Sequence, residues 1–80
     1  MFDEAVIEQI VNFYKANDFD FDAPIKFCYL YDTTEITNDT LDEILCSFND
    51  NGFLENVCWA DGAIFEFYIS DQGKKKFGFI

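Results

Sequence analysis

The chain has no histidine and no arginine among its eighty residues. Without histidine it cannot assemble a Ser-His-Asp or Cys-His catalytic arrangement. The same lack removes the commonest partner of cysteine in structural zinc sites. Without arginine it has no side chain to grip a guanine edge in the bidentate way. Its four glycines are scattered, so no glycine-rich phosphate loop is present. No apolar run approaches the 18 residues that suggest a membrane-spanning helix. The first residues carry neither a basic n-region nor an apolar h-region, which argues against a secretory signal.

What is present is aromatic and acidic. Eleven Phe, four Tyr and one Trp account for 20% of the chain, and half the residues are apolar. A domain of this size buries only about 60–65% of the surface its unfolded form exposes. Each aromatic side chain nevertheless hides roughly 150–250 Å², so a core is expected without disulfides or metal. The expected organisation is one α+β domain over residues 1–80.

Sixteen acids stand against five lysines, for a net charge of −11. Three of those lysines are Lys74, Lys75 and Lys76, so residues 1–73 hold every acid and only Lys15 and Lys26. Such a field repels nucleic acid and anionic lipid and speeds encounters with basic proteins. Cys28, Cys46 and Cys58 form no CxxC pair and each sits among apolar residues, which suggests buried, reduced thiols. That usage fits a reducing cytoplasm.

The first helix is expected from Asp3, as its cap, to about Asn17, with Val6, Ile7, Ile10, Val11 and Tyr14 along one stripe. Phe2 would staple onto Ile7. Asp18-Phe19-Asp20-Phe21-Asp22-Ala23-Pro24 alternates acid and aromatic residues. An EF-hand loop beginning at Asp18 would need Gly at 23 and Glu at 29, where the chain has Ala23 and Tyr29, so calcium is not expected. A loop or short extended segment with Phe19 and Phe21 turned inward is expected instead. Aromatic content and the preceding proline favour a strand over 25–31, with a short helix as the alternative. Thr33-Thr34-Glu35 suggests a turn.

A second helix is predicted from Thr37, with Ile36 and Leu41 as a staple and Leu41, Ile44, Leu45 and Phe48 as its apolar stripe. Gly52 stands at the C′ position, with Phe53 packing back as in a Schellman ending. Asp61-Gly62 then marks a two-residue hairpin turn. Pairing Ala60 with Ala63 puts Cys58, Phe65, Asn56, Phe67, Leu54 and Ile69 on the expected core face. Trp59 and Ile64 fall together on the other face, either as a partner contact or as cover for another part of the core. The segment 70–80 is expected to form a short capped turn or a final strand, its lysines free to pair with the acidic body.

The stretch Ile36-Thr37-Asn38-Asp39-Thr40-Leu41-Asp42-Glu43-Ile44-Leu45-Cys46-Ser47-Phe48-Asn49-Asp50-Asn51-Gly52-Phe53-Leu54, followed by Phe67-Tyr68-Ile69-Ser70-Asp71-Gln72-Gly73-Lys74-Lys75-Lys76-Phe77, resembles a winged helix-turn-helix domain. The first part is similar to a recognition helix ending in a Gly-apolar-apolar step, and the second to the closing strand with its Leu-Thr-x-x-Gly-like turn. The likeness covers about half the chain. It implies two main helices packed on a C-terminal β-hairpin, and a short strand and a second helix within 24–36. It also implies a DNA-binding face on the helix and wing, and here the chain departs from the family. The corresponding positions carry Asp39, Asp42, Glu43 and Asp50, with Asp61 at the wing tip, where phosphate neutralisation needs Lys or Arg.

Two carboxylates could in principle serve glycoside chemistry, but nothing in the sequence places a pair in a cleft, and no enzymatic activity, cofactor or metal is expected. The expected function is non-catalytic inhibition. Asp39, Asp42, Glu43 and Asp50, together with Asp18, Asp20 and Asp22 on a neighbouring loop, would mimic a nucleic-acid backbone, with Trp59 as an aromatic anchor. In size and charge the chain is similar to small phage-encoded anti-CRISPR and anti-restriction inhibitors. That similarity implies a basic protein partner in a host cytoplasm, no direct contact with nucleic acid or membrane, and a monomeric or homodimeric inhibitor. The alternatives are an immunity protein or antitoxin masking a basic nuclease, and a winged-helix-like adaptor that no longer binds DNA.

Overall fold

The computed structural model describes residues 3–31 and 37–80. Among them the order is α1 (Asp3–Ala16), β1 (Ile25–Lys26), α2 (Phe27–Tyr31), α3 (Asn38–Asp50), β2 (Leu54–Ala60), β3 (Ala63–Ile69) and α4 (Asp71–Lys76). The strands form one antiparallel sheet in the order β1-β3-β2, with β3 in the centre. The fold is a small α+β domain. No helix among the described residues is long and apolar enough to cross a membrane.

The helical periodicity gives one core. Val6, Ile10 and Tyr14 of α1 and Leu41, Ile44, Leu45 and Phe48 of α3 close on Ile25, Leu30, Leu54, Ile64, Phe67, Ile69 and Phe77. Each such side chain contributes about 1.5–3 kcal/mol when fully buried. Ile7 and Val11, on the margin of the α1 stripe, are only half-buried. Asp3 lies inside the first turn of α1. Phe2, Ile36 and the turn expected at 33–35 lie outside the described residues.

Three helices end in the same way. At the end of α3, Gly52 takes φ 78°, and Phe53 donates its N–H to the Phe48 carbonyl at 2.9 Å while Gly52 donates to Asn49 at 3.0 Å. This is the expected Schellman ending, and the Phe53 ring packs back on Phe48. Helix α4 repeats it, with Gly78 at φ 87° and Phe79 donating to Lys74 at 2.8 Å. Helix α1 uses Asp18 at φ 55° where the others use glycine, and Phe19 donates to Tyr14 at 2.7 Å.

That geometry corrects the expectation for Phe19. It is also left-handed, at φ 57°, and its side chain is 50% exposed rather than turned inward. Phe21 does turn in, against Tyr14 and Phe79. The run 25–31 is only briefly a strand before α2 begins. The C-terminal segment is helical, with Ser70 Oγ capping α4 by accepting from Gly73 N–H at 3.0 Å.

The hairpin turn and both ends of its ladder follow the expected register, from Ala60↔Ala63 and Trp59↔Ile64 to Leu54↔Ile69. Asp61 at φ 52° and Gly62 at φ 82° give the positive-φ pair that a type I′ turn requires. Between the ends, Cys58 faces Glu66 rather than pairing with Phe65. Two offsetting bulges cause this, an extra residue on β3 next to Phe65 and another on β2 next to Asn56, whose φ is 49°. A bulge shifts the in-out alternation. Phe65 and Cys58 are therefore exposed, while Ile64 is buried in the core. Cys28 is exposed as well and Cys46 partly covered, so the expectation of three buried thiols is corrected; all three are free.

Candidate partner-binding surface

Helix α3 carries the surface. Thr37 caps it, its Oγ1 accepting from Thr40 N–H at 3.2 Å. The apolar stripe fixes the helix against the sheet, so the opposite face meets solvent. Asp39, Glu43 and Asp50 stand at helical spacing on that face and are all exposed.

Helix stability does not account for all of these acids. Asp39 in the first turn complements the positive end of the helix dipole. Asp50 sits in the last turn, where a carboxylate is disfavoured by about 0.3–1 kcal/mol. Helices α1 and α4 follow the dipole, with Lys15 in the last turn of one and Lys74, Lys75 and Lys76 in that of the other. Helix α3 has no basic residue in its last turn.

Asp42 plays a different part. Its Oδ1 accepts the backbone N–H of Ile64 at 3.1 Å, tying α3 to the hairpin just past the turn. The Cys46 thiol approaches Oδ2 of the same carboxylate at 3.9 Å. Burial pushes the Cys46 thiol pKa up, and the neighbouring Asp42 and Asp50 raise it further. Through the Asp42 tie the hairpin tip joins the acidic surface, with exposed Asp61 in the turn and Trp59 52% exposed beside it.

Asp18, Asp20 and Asp22 belong to another neighbourhood. All three are exposed, and Asp20 Oδ1 accepts from Asp22 N–H at 3.0 Å in an Asx turn. Their loop packs through Phe21 on Phe79, and Lys74 Nζ lies 4.7 Å over the Phe21 ring. Among the described residues, no hydrogen bond, ion pair or ring contact joins this loop to α3. Among the described residues, the tail lysines form no ion pair with an acid outside their own helix. Lys74 pairs with Asp71 of its own helix at 3.4 Å, and Lys76 stands over Phe53.

No lysine falls between Lys26 and Lys74, so α3 and the hairpin hold Asp39, Asp42, Glu43, Asp50, Glu55, Asp61 and Glu66 without a cation of their own. Lys26 stands opposite Glu66 across the sheet and offsets that one acid. Among the described residues, no group of three or more Cys, Asp or Glu is arranged to hold a metal ion. Two features had no signal in the sequence: the exposure of Phe65, which the bulge creates, and the use of Asp42 as a tie. Comparison with protein-family models, with curated proteins and with solved structures gives no match.

Proposed function

We propose that the chain is a non-catalytic inhibitor that occupies a basic, nucleic-acid-binding surface of another protein with the acidic face of α3 and the hairpin tip. The observation that carries this reading is Asp50, together with the exposed Glu43 and Asp39 on its row. The row continues into the last turn, against the helix dipole, with no cation nearby in sequence. A row kept for helix stability would reverse its charge at that end, as α1 and α4 do.

The body is that of a winged helix with inverted charge. The order α1, β1, α2, α3, β2, β3 and the placing of β1 beside β3 support this reading. So does the Ser70-to-Gly73 turn that closes β3 onto the end of α3. In such a body α3 takes the recognition-helix position, and an acidic α3 fits a protein groove built to receive phosphates. A phage-encoded anti-CRISPR inhibitor acting on a host defence complex is the setting we favour for this chemistry.

The test is capture at low salt from a host lysate, followed by competition with DNA or RNA for the captured protein. The combined Asp39→Lys, Glu43→Lys and Asp50→Lys variant should lose capture while keeping its melting temperature. Asp42 is left intact because of its tie to Ile64. Wild-type binding should weaken clearly between roughly 0.1 and 0.5 M salt. Full binding by the charge-reversed variant, or capture that nucleic acid does not displace, would rule the reading out.

A further inference from the structure

The chain already holds one of its own cations between an aromatic face and a carboxylate. Lys74 Nζ lies 4.7 Å from the centroid of the Phe21 ring and 3.4 Å from Asp71 Oδ1. Lys76 Nζ lies 5.9 Å from the Phe53 centroid. The negative face of an aromatic ring attracts a cation, and a nearby carboxylate adds to the pull.

The hairpin tip presents the same two kinds of acceptor. Trp59 is 52% exposed, and indole is the aromatic face that binds cations best. Trp59 is the cross-strand partner of Ile64, whose N–H meets Asp42 Oδ1 at 3.1 Å. Asp61 follows two residues after Trp59. All five lysines are placed elsewhere, on α1, β1 and α4. No cation lies over Trp59 among the described residues.

We infer that the Trp59 face, with the exposed Asp61 of the adjoining turn beside it, is a docking site for an arginine side chain on a protein partner. Charge complementarity selects a cation, and the indole selects which one. A guanidinium is planar and weakly hydrated, so it stacks on the ring while its N–H groups remain free for a neighbouring carboxylate. An ammonium is a compact, strongly hydrated point charge and gains less from the stack. The site rests on the reading of the α3 and hairpin surface as the partner contact, and it adds the residue type that the partner must supply.

Trp59 is the chain's one tryptophan, so its emission reports on the site directly. The full chain is titrated with octa-arginine, octa-lysine and octa-citrulline peptides. The expected result is a saturable emission change with octa-arginine, a weaker one with octa-lysine and none with octa-citrulline. Binding of a labelled octa-arginine, read by anisotropy, should survive Trp59→Phe and fall about 2- to 5-fold in Trp59→Leu. Leucine keeps an apolar side chain and removes the π face, and an exposed position should leave the melting temperature unchanged. Equal responses to arginine and lysine, or undiminished binding by Trp59→Leu, would overturn the site. If Trp59→Leu binds normally while the α3 charge reversal abolishes capture, the arginine site fails and the surface reading stands. If Trp59→Leu binds weakly while the α3 charge-reversed chain is captured in full, the surface reading fails and the arginine site at the hairpin tip stands.

Discussion

Oδ1 of Asp42 accepts the backbone N–H of Ile64 at 3.1 Å, joining the second turn of α3 to the start of β3 across 22 positions of sequence. The bond fixes the helix that carries the acidic face relative to the hairpin that carries Trp59 and Asp61. Asp42 is thus set apart from Asp39, Glu43 and Asp50, whose side chains are free to meet a partner. A hydrogen bond to a charged acceptor is worth about 1.5–3 kcal/mol. Asp42→Ala should cost that much, near the lower end because the site is only half-buried, and Asp39→Ala should stay within about 0.5 kcal/mol. Urea denaturation of the two variants distinguishes them, and equal midpoints would refute the tie.

The start of α4 is built into the end of α3. Ser70 donates its N–H to the Phe53 carbonyl at 3.0 Å and its hydroxyl to the Gly52 carbonyl at 2.5 Å. Gly73 follows one turn later, so close that an added Cβ would stand 2.1 Å from Phe53 O and 2.9 Å from Ile69 Cγ2. The obstacle is backbone, which cannot rotate away. Gly73→Ala should therefore destabilise by about 3 kcal/mol, lowering the melting temperature by roughly 12–24 °C for a domain of this size. A melting temperature within a few degrees of wild type would mean that the two helix ends do not dock this closely.

Much of this architecture was legible from spacing. The α3 stripe, its Thr37 start and its Gly52-Phe53 ending are local patterns, and local hydrogen bonds enforce them. Asp61-Gly62 fixed the turn for the same reason. The bulges were not legible, because whether Phe65 or Ile64 enters the core depends on α3 pulling Ile64 toward Asp42, a contact made far along the chain. The end of α1 near Asn17 was legible; the left-handed Asp18 and Phe19 beyond it were not, because Asp18 fills a position that glycine usually announces. At the surface, the acids of α3 could be read directly. Their separation from Asp18, Asp20 and Asp22 could not, because it depends on Phe21 packing against the C-terminal aromatic residues.

Tyr14 is fully buried, and among the described residues its hydroxyl has no hydrogen-bond partner. Burial pushes the phenol pKa up to about 12; the Ile69 backbone opposes the rise without reaching hydrogen-bond geometry, and Asp20 adds to it. An unfolded tyrosine ionises near 10. Between these values the unfolded chain loses a proton that the folded chain keeps, so stability falls as pH rises. The loss attributable to Tyr14 should reach about 2–3 kcal/mol by pH 12 and be absent below pH 9. Tyr14→Phe should flatten that part of the alkaline profile and cost little at neutral pH, since it removes an unpartnered polar group. An unchanged profile in this variant would assign the alkaline loss to other groups.

The three thiols should separate by reactivity. Cys28 and Cys58 are exposed, whereas Cys46 is partly covered and its thiolate is disfavoured by burial and by Asp42 and Asp50. The thiolate is the nucleophile in alkylation. Iodoacetamide at pH 8 should therefore modify two cysteines quickly and Cys46 more slowly, by roughly tenfold or more. Asp42→Asn removes the charge beside the sulfur while keeping an oxygen for the Ile64 N–H, so it should speed Cys46 without unfolding the protein. The charge-reversed Asp50→Lys should speed it too, because a cation would replace a repelling carboxylate. Mass spectrometry of timed samples reads each site separately. If Cys46 reacts as fast as Cys58 in the wild type, the carboxylates do not crowd this sulfur, and the α3 face is less negative at its centre than the fold implies.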